Sequence, residues 1–277
     1  GVIISNKAGL VNLNEIADTV RYLTDGISKY DKYDYSIVEC LLADGTEIAF
    51  PDYTNFDGLR AWPVVEIKNI VFRFIKFTGD FKMNNLEIVN HYDFERSIFN
   101  GIFEGEKIEE IGGYAFENSK FSGSLNCPNL TTVGYNAFKI SKFTGAFNCP
   151  NLTSVGEYAF YYSQFDGAFN CPNLQAVGYA AFRDSVFTGD FDCPNLTTVG
   201  NDAFKLSIFN DTFNCPNLTT IGNSAFEYSK FTGAFECPNL KTVGNAAFRL
   251  SVFNGIFSCE NVSTVGISAF INSNFTG

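Results

Sequence analysis

The chain has 277 residues, a formal net charge of −11 and a sequence pI of about 4.6. No basic face is available to track phosphates, which counts against nucleic acid and anionic membranes as partners. No run of 18 apolar residues occurs, so no segment reads as a membrane-spanning helix, and 31 Phe against one Met and one Trp point to one unit used many times.

In chain order, residues 1–60 stand apart from the remainder. Gly1 in place of Met suggests that an upstream segment such as a signal peptide has been removed. From Asn12, Leu13, Ile16, Val20 and Leu23 recur at spacings of three and four, which predicts an amphipathic helix ending near Asp25-Gly26. Two apolar runs flank Asp44-Gly45 in YSIVECLLADGTEIAF, the strongest short hairpin signal in the chain. A helix and a hairpin ahead of a repeat array predict an N-terminal cap that covers an otherwise open first edge.

From residue 61 onward one pattern recurs. Cys127, Cys149, Cys171, Cys193, Cys215, Cys237 and Cys259 are evenly spaced, each separated from the next by the same interval (149 − 127 = 22). Around each runs Phe-x-Gly-x-Phe-x-Cys-Pro-Asn-Leu-x-x-Val-Gly-x-x-Ala-Phe-x-x-Ser-x, and earlier copies persist in weaker form around Gly105, Met83 and Ala61. This predicts nine full units over 61–258 and a partial tenth ending at Gly277. A period in this range marks a solenoid. Stopping inside the frame implies that further repeats follow or that a C-terminal cap has been removed.

Each unit divides into a short strand, a turn and a short helical turn. In residues 143–164, Phe147 and Cys149 share a parity that points inward, Ala146 and Asn148 point outward, and Pro150-Asn151 turns the chain. Leu152 and Val155 return to the core, and Ala159 and Phe160 enter it from the predicted helical turn. The Ala115 to Ala269 column marks a place where nothing larger fits. The Ser97 to Ser273 column predicts hydroxyls bonded to orphan backbone groups. The strand-preceding glycine column, Gly145 and its equivalents, is broken once by Asp211, which suggests a left-handed or bulged backbone there. Stacking coils at roughly 4.8 Å turns these columns into ladders.

The chemistry of catalysis is not legible. His91 is the sole histidine and has no nucleophile or metal partner at any recognisable spacing. The pairs Glu109-Glu110 and Asp190 with Asp192 read as solvated surface charges. Cysteines one coil apart with parallel side chains match neither disulfide nor zinc geometry, so they read as free buried thiols. No enzyme activity, cofactor or metal is expected.

The frame CPNLTTVGxxAFxxS resembles the BspA-like, or Treponema pallidum type, class of leucine-rich repeats, whose units carry an Ile-Pro, an apolar residue, Ile-Gly and Ala-Phe at comparable spacings. The resemblance covers residues 61–277. It departs in a unit one residue shorter than is usual in that class, and in Ser where the class often has Cys. It implies a leucine-rich-repeat solenoid and a secreted or cell-surface adhesion domain that binds host or extracellular-matrix proteins. It also implies that the strand face meets the ligand. The candidate partner-binding residues on that face are Asn148, Asn170, Asp190, Asp192, Thr212, Asn214 and Glu236. Two other readings stand beside it: a structural spacer that projects another domain, and a glycan- or ice-binding surface built on two threonine columns, Thr78, Thr144, Thr188 and Thr232 and Thr132, Thr198, Thr220, Thr242 and Thr264. Sequons at Asn129, Asn151, Asn195, Asn217 and Asn261 follow from the repeat and would carry glycan only in a eukaryotic secretory protein.

Overall fold

In the computed structural model, residues 86–276 are described throughout, together with Phe81 and the backbone of the strands Val2–Ile4, Ser36–Leu42, Glu47–Ala49, Val64–Phe72, Lys76–Phe77 and Phe81–Met83. The repeats wind into a parallel solenoid with three two-residue strands per coil. In one central coil these are Lys142–Phe143, Phe147–Asn148 and Ser154–Val155. Each pairs in parallel with its equivalent in the next coil, Phe143 with Phe165, Phe147 with Phe169 and Val155 with Val177. The result is two ten-stranded sheets and one nine-stranded sheet, with a turn side closing each coil.

The predicted helical turn is absent, and no helix occurs among the described residues. In residues 157–163 the amides that a helix would aim four residues back are aimed at the next coil instead. Tyr158 N donates to Tyr179 O at 3.0 Å, Phe160 N to Ala181 O at 2.7 Å and Tyr162 N to Arg183 O at 2.9 Å. The local bonds that remain span three residues, such as Ser163 N to Phe160 O at 3.2 Å. Left-handed backbone is what redirects the chain. Tyr158 has φ 54° and Tyr162 φ 57°, and the same two places are left-handed in every coil, at 18 non-glycine residues in all. An L-residue there costs roughly 1–2 kcal/mol, offset by axial hydrogen bonds and by burial of the intervening Phe.

One of these places can be relieved. Ile140 is β-branched, 43% exposed and held at φ 60°, whereas Asn118 and Asn272 occupy the equivalent positions. Asn tolerates left-handed backbone better than a β-branched residue. Ile140→Asn is therefore expected to raise stability by about 0.5–1 kcal/mol and the melting midpoint by roughly 1–3 °C. A midpoint at or below that of the parent would contradict the strain argument.

The core is three phenylalanine ladders. Phe143 stacks on Phe165 at 4.9 Å, Phe147 on Phe169 at 5.1 Å and Phe160 on Phe182 at 4.9 Å, all within 6° of parallel. Within a coil the ladders meet edge to face, as between Phe147 and Phe160 at 5.3 Å and 87°, the geometry favoured by ring quadrupoles. The alanine column and Cys127 to Cys237 are fully buried beside them, and Cys259 is partly buried; all seven thiols are free.

The serines bond to backbone, as their column predicts. Ser163 Oγ donates to the Phe138 carbonyl of the preceding coil at 2.8 Å and accepts from the Ser141 amide at 3.3 Å. The same carbonyl contact recurs from Ser119 to Ser273.

The glycine column has a different cause from the one expected. Neither Gly145 nor Asp211 has left-handed backbone. What the position needs is close approach between coils: a Cβ on Gly145 would sit 2.3 Å from the Gly123 carbonyl carbon.

Upstream, Ser36–Leu42 and Glu47–Ala49 pair antiparallel as the hairpin signal predicts, with Cys40 opposite Ile48. Ser36–Leu42 also pairs along the nine-residue strand Val64–Phe72. Val64–Phe72 is thus one long antiparallel strand, unlike the short parallel strands of the later coils. Val2–Ile4 pairs in parallel with Phe81–Met83 and becomes the first strand of a solenoid sheet. The helix expected near residues 12–26 lies outside the described residues.

Candidate functional site

With three sheets around each coil, the strand face chosen from sequence is one of several surfaces. Its residues do lie together. Asn148 Nδ2 donates to Asn126 Oδ1 at 2.8 Å, Asn170 Nδ2 to Asn148 Oδ1 at 2.7 Å and Asn214 Nδ2 to Asp192 Oδ1 at 3.1 Å. These amides form a ladder between coils, so much of their hydrogen-bonding capacity is used internally. Asp190, Asp192 and Glu236 are exposed and Thr212 and Asn214 are half-buried. A hydrogen bond with Asp211, and its charge, raise the Asp190 carboxyl above its ordinary value. Thr hydroxyls are likewise turned inward: Thr144 Oγ1 donates to Phe121 O at 3.2 Å and Thr232 Oγ1 to Asn210 O at 3.0 Å. Three sequon amides, at Asn129, Asn217 and Asn261, donate to carbonyls of the preceding coil.

A different surface collects the tyrosines and arginines. Between the Val-Gly pair and the Ser of each coil lie four variable positions, two before and two after Ala-Phe. All eight tyrosines of residues 86–276 (Tyr92, Tyr114, Tyr135, Tyr158, Tyr161, Tyr162, Tyr179 and Tyr228) fall at these positions, as do all three arginines, Arg96, Arg183 and Arg249. The turn side therefore carries them, whereas the strand positions carry Lys, Gln, Ile and short polar residues but, among the described residues, no Tyr or Arg.

Seven of these tyrosines occupy five successive coils and touch one another. Tyr92 stacks on Tyr114 at 4.9 Å, and edge-to-face contacts continue through Tyr135, Tyr158 and Tyr179 at 5.3–6.0 Å. Tyr161 meets Tyr158 at 5.9 Å and Tyr162 at 6.2 Å. Tyr135 is 47% and Tyr162 62% exposed, so the stripe is an aromatic surface rather than core. A groove runs between Tyr114, Tyr135, Tyr158 and Tyr161, completed by Asn136, Lys139 and Arg183. A hydrogen bond to Tyr179, followed by burial, raises the Tyr158 phenol.

Toward the C-terminus the same face changes character. Lys205, Glu227 and Arg249 form a chain across three coils, with Lys205 Nζ 2.8 Å from Glu227 Oε2 and Arg249 Nη2 at 2.5 Å from Glu227 Oε1. Burial works against the Glu227 charge, but the two cations outweigh it and hold the carboxyl below its ordinary value. This triad fixes coils to one another and leaves its charges satisfied.

Among the described residues no group of three or more His, Cys, Asp or Glu could hold a metal ion, and no helix is long and apolar enough to cross a membrane. His91 is exposed. The family model for the BspA type leucine rich repeat region matches residues 65–188 and 176–276, in 6 copies. No curated protein and no solved structure matches the chain.

Proposed function

We propose that this chain, which belongs to the BspA-type leucine-rich repeat family, is a non-enzymatic recognition domain of the cell surface or extracellular space that binds host or matrix proteins. The contact surface in this reading is the tyrosine-rich turn face, from Tyr92 to Arg183. One observation carries it: in a molecule whose coils are otherwise near copies, every Tyr and Arg of residues 86–276 is placed on one side. Tyr and Arg dominate binding hot spots, because they bury large area at little entropic cost and keep a polar end for hydrogen bonds. Repeat scaffolds hold such residues rigidly, which lowers the cost of ordering them on binding.

The strand face is the second candidate, favoured by the exposed carboxylates of Asp190, Asp192 and Asp211. Its amide ladder counts against it, since a ligand must compete with bonds already made.

Immobilised protein tested against purified matrix proteins separates these readings. Retention is expected for the parent. Tyr158→Ala should weaken it by roughly 30-fold, the loss typical of a hot-spot aromatic, while Asn148→Ala leaves it unchanged. The opposite pattern would assign binding to the strand face. Retention of no protein would favour a spacer.

A further inference from the structure

We infer that the segment held by the tyrosine groove is an acidic, extended polypeptide, with carboxylates taken by Lys139 and Arg183 and apolar side chains laid on Tyr158 and Tyr161. This rests on the reading of the turn face as the contact surface. The chain carries a net charge of −11, yet both charged residues that line this groove are cations. Lys139 and Arg183 occupy the same position of the repeat two coils apart (183 − 139 = 44), with Tyr161 in the coil between. At roughly 4.8 Å per coil their backbones are about 10 Å apart, a span that an extended chain covers in about three residues.

Each cation has one carboxylate of its own nearby, and neither carboxylate lines the groove. Lys139 Nζ lies 3.1 Å from Glu117 Oε1, and Arg183 Nε lies 3.4 Å from Asp184 Oδ2 without forming a hydrogen bond. Each cation keeps between a quarter and a third of its side chain in contact with solvent, so a ligand carboxylate can share it with the resident one. An ordered Arg fork presented beside aromatic rings suits bidentate capture of a carboxylate. Phenol hydroxyls and the Asn136 amide supply donors and acceptors for the peptide backbone between the charged anchors. Glu157, exposed between Tyr135 and Tyr179 in the adjacent column, discourages an approach from that side by a second carboxylate and so sets the lane along which the acidic residues lie.

The test uses the whole chain and fluorescence anisotropy with three labelled probes: a peptide repeating Glu-Leu-Ser, its counterpart repeating Lys-Leu-Ser, and an oligogalacturonate. Peptides of roughly 12 residues, at about 3.3 Å each, exceed the groove. The Glu peptide should bind at least tenfold more tightly than either other probe, more weakly as salt rises, and roughly tenfold or more weakly to Lys139→Glu/Arg183→Glu. Thermal melts of the variant matching the parent confirm that the fold is intact. Equal binding to the charge-reversed variant, equal or tighter binding of the oligogalacturonate or Lys peptide, or binding of no probe overturns the inference. If matrix-protein retention is still lost in Tyr158→Ala when the Glu peptide is ignored, the turn face stands and its acidic specificity falls. If Tyr158→Ala retains matrix proteins as the parent does, the turn-face reading itself has failed.

Discussion

Raising the pH from about 7.5 to about 9.5 is expected to cost the solenoid roughly 8 kcal/mol, which is comparable to the whole stability of a typical domain. Burial pushes the thiols of Cys149, Cys171, Cys193, Cys215 and Cys237 well above their ordinary value, and Cys259 up to about 12. Unfolded, a cysteine ionises near pH 8.5. Above that pH the folded chain binds more protons than the unfolded one, so stability falls as pH rises. The stabilisation is fully present below the unfolded value and is lost going upward through it. Each of these six thiols loses about 1.4 kcal/mol across that window, hence the total for six. Urea unfolding of reduced protein at the two pH values checks this. Cys193→Ala lowers stability at neutral pH through its cavity, but should flatten the pH slope by about a sixth. Equal unfolding free energies at both pH values, or an unchanged slope in Cys193→Ala, would show that the thiols titrate in contact with water.

The coil was legible because its determinants are invariant columns at one spacing, with one Cys, three Phe, one Ala and one Ser in each central unit. The serine role was legible too, since a small hydroxyl kept at a turn has few uses other than backbone bonding. Three things were hidden for physical reasons. Strands of two residues, such as Lys142–Phe143, are too short to display alternation, so one strand per coil was expected where three form. The Ala-Phe turn looked helical because compact local spacing cannot reveal that its amides bond along the solenoid axis, an outcome decided by the neighbouring coil. Val64–Phe72 matches the frame at Val64, Ile67 and Phe72, yet an antiparallel neighbour in the hairpin gives it a longer ladder to join.

The tyrosine face was missed for another reason. Tyr135, Tyr158, Tyr161 and Tyr162 occupy four different positions of the repeat, so no column is visible in the sequence. Left-handed residues at Tyr158 and Tyr162 fold those positions onto one side. Reading the variable positions together rather than column by column would have exposed the signal, because the rest of the repeat contains neither Tyr nor Arg.

Phe182→Ala should cost roughly 3–5 kcal/mol, the usual penalty for a buried Phe-to-Ala cavity. Phe182 is fully buried, stacked on Phe160 at 4.9 Å and Phe204 at 5.1 Å, and meets Phe169 edge to face at 5.4 Å. Its loss therefore leaves a void that borders three coils. A solenoid is stabilised by each coil and its nearest-neighbour interfaces, so a defect in the middle weakens two interfaces at once and uncouples the coils on either side. Phe270, stacked on Phe248 at 5.1 Å but only partly buried, has fewer contacts to lose, and Phe270→Ala should cost less than half as much. Leu125 already replaces one ring of the second ladder and is fully buried. Phe182→Leu should accordingly recover most of the loss, because an aliphatic side chain fills much of the space that the ring occupied. Urea unfolding of the three variants separates the terms. Equal losses at Phe182→Ala and Phe270→Ala would mean that stability is not carried by stacked interfaces. A parental midpoint for Phe182→Ala would place that ring outside the core.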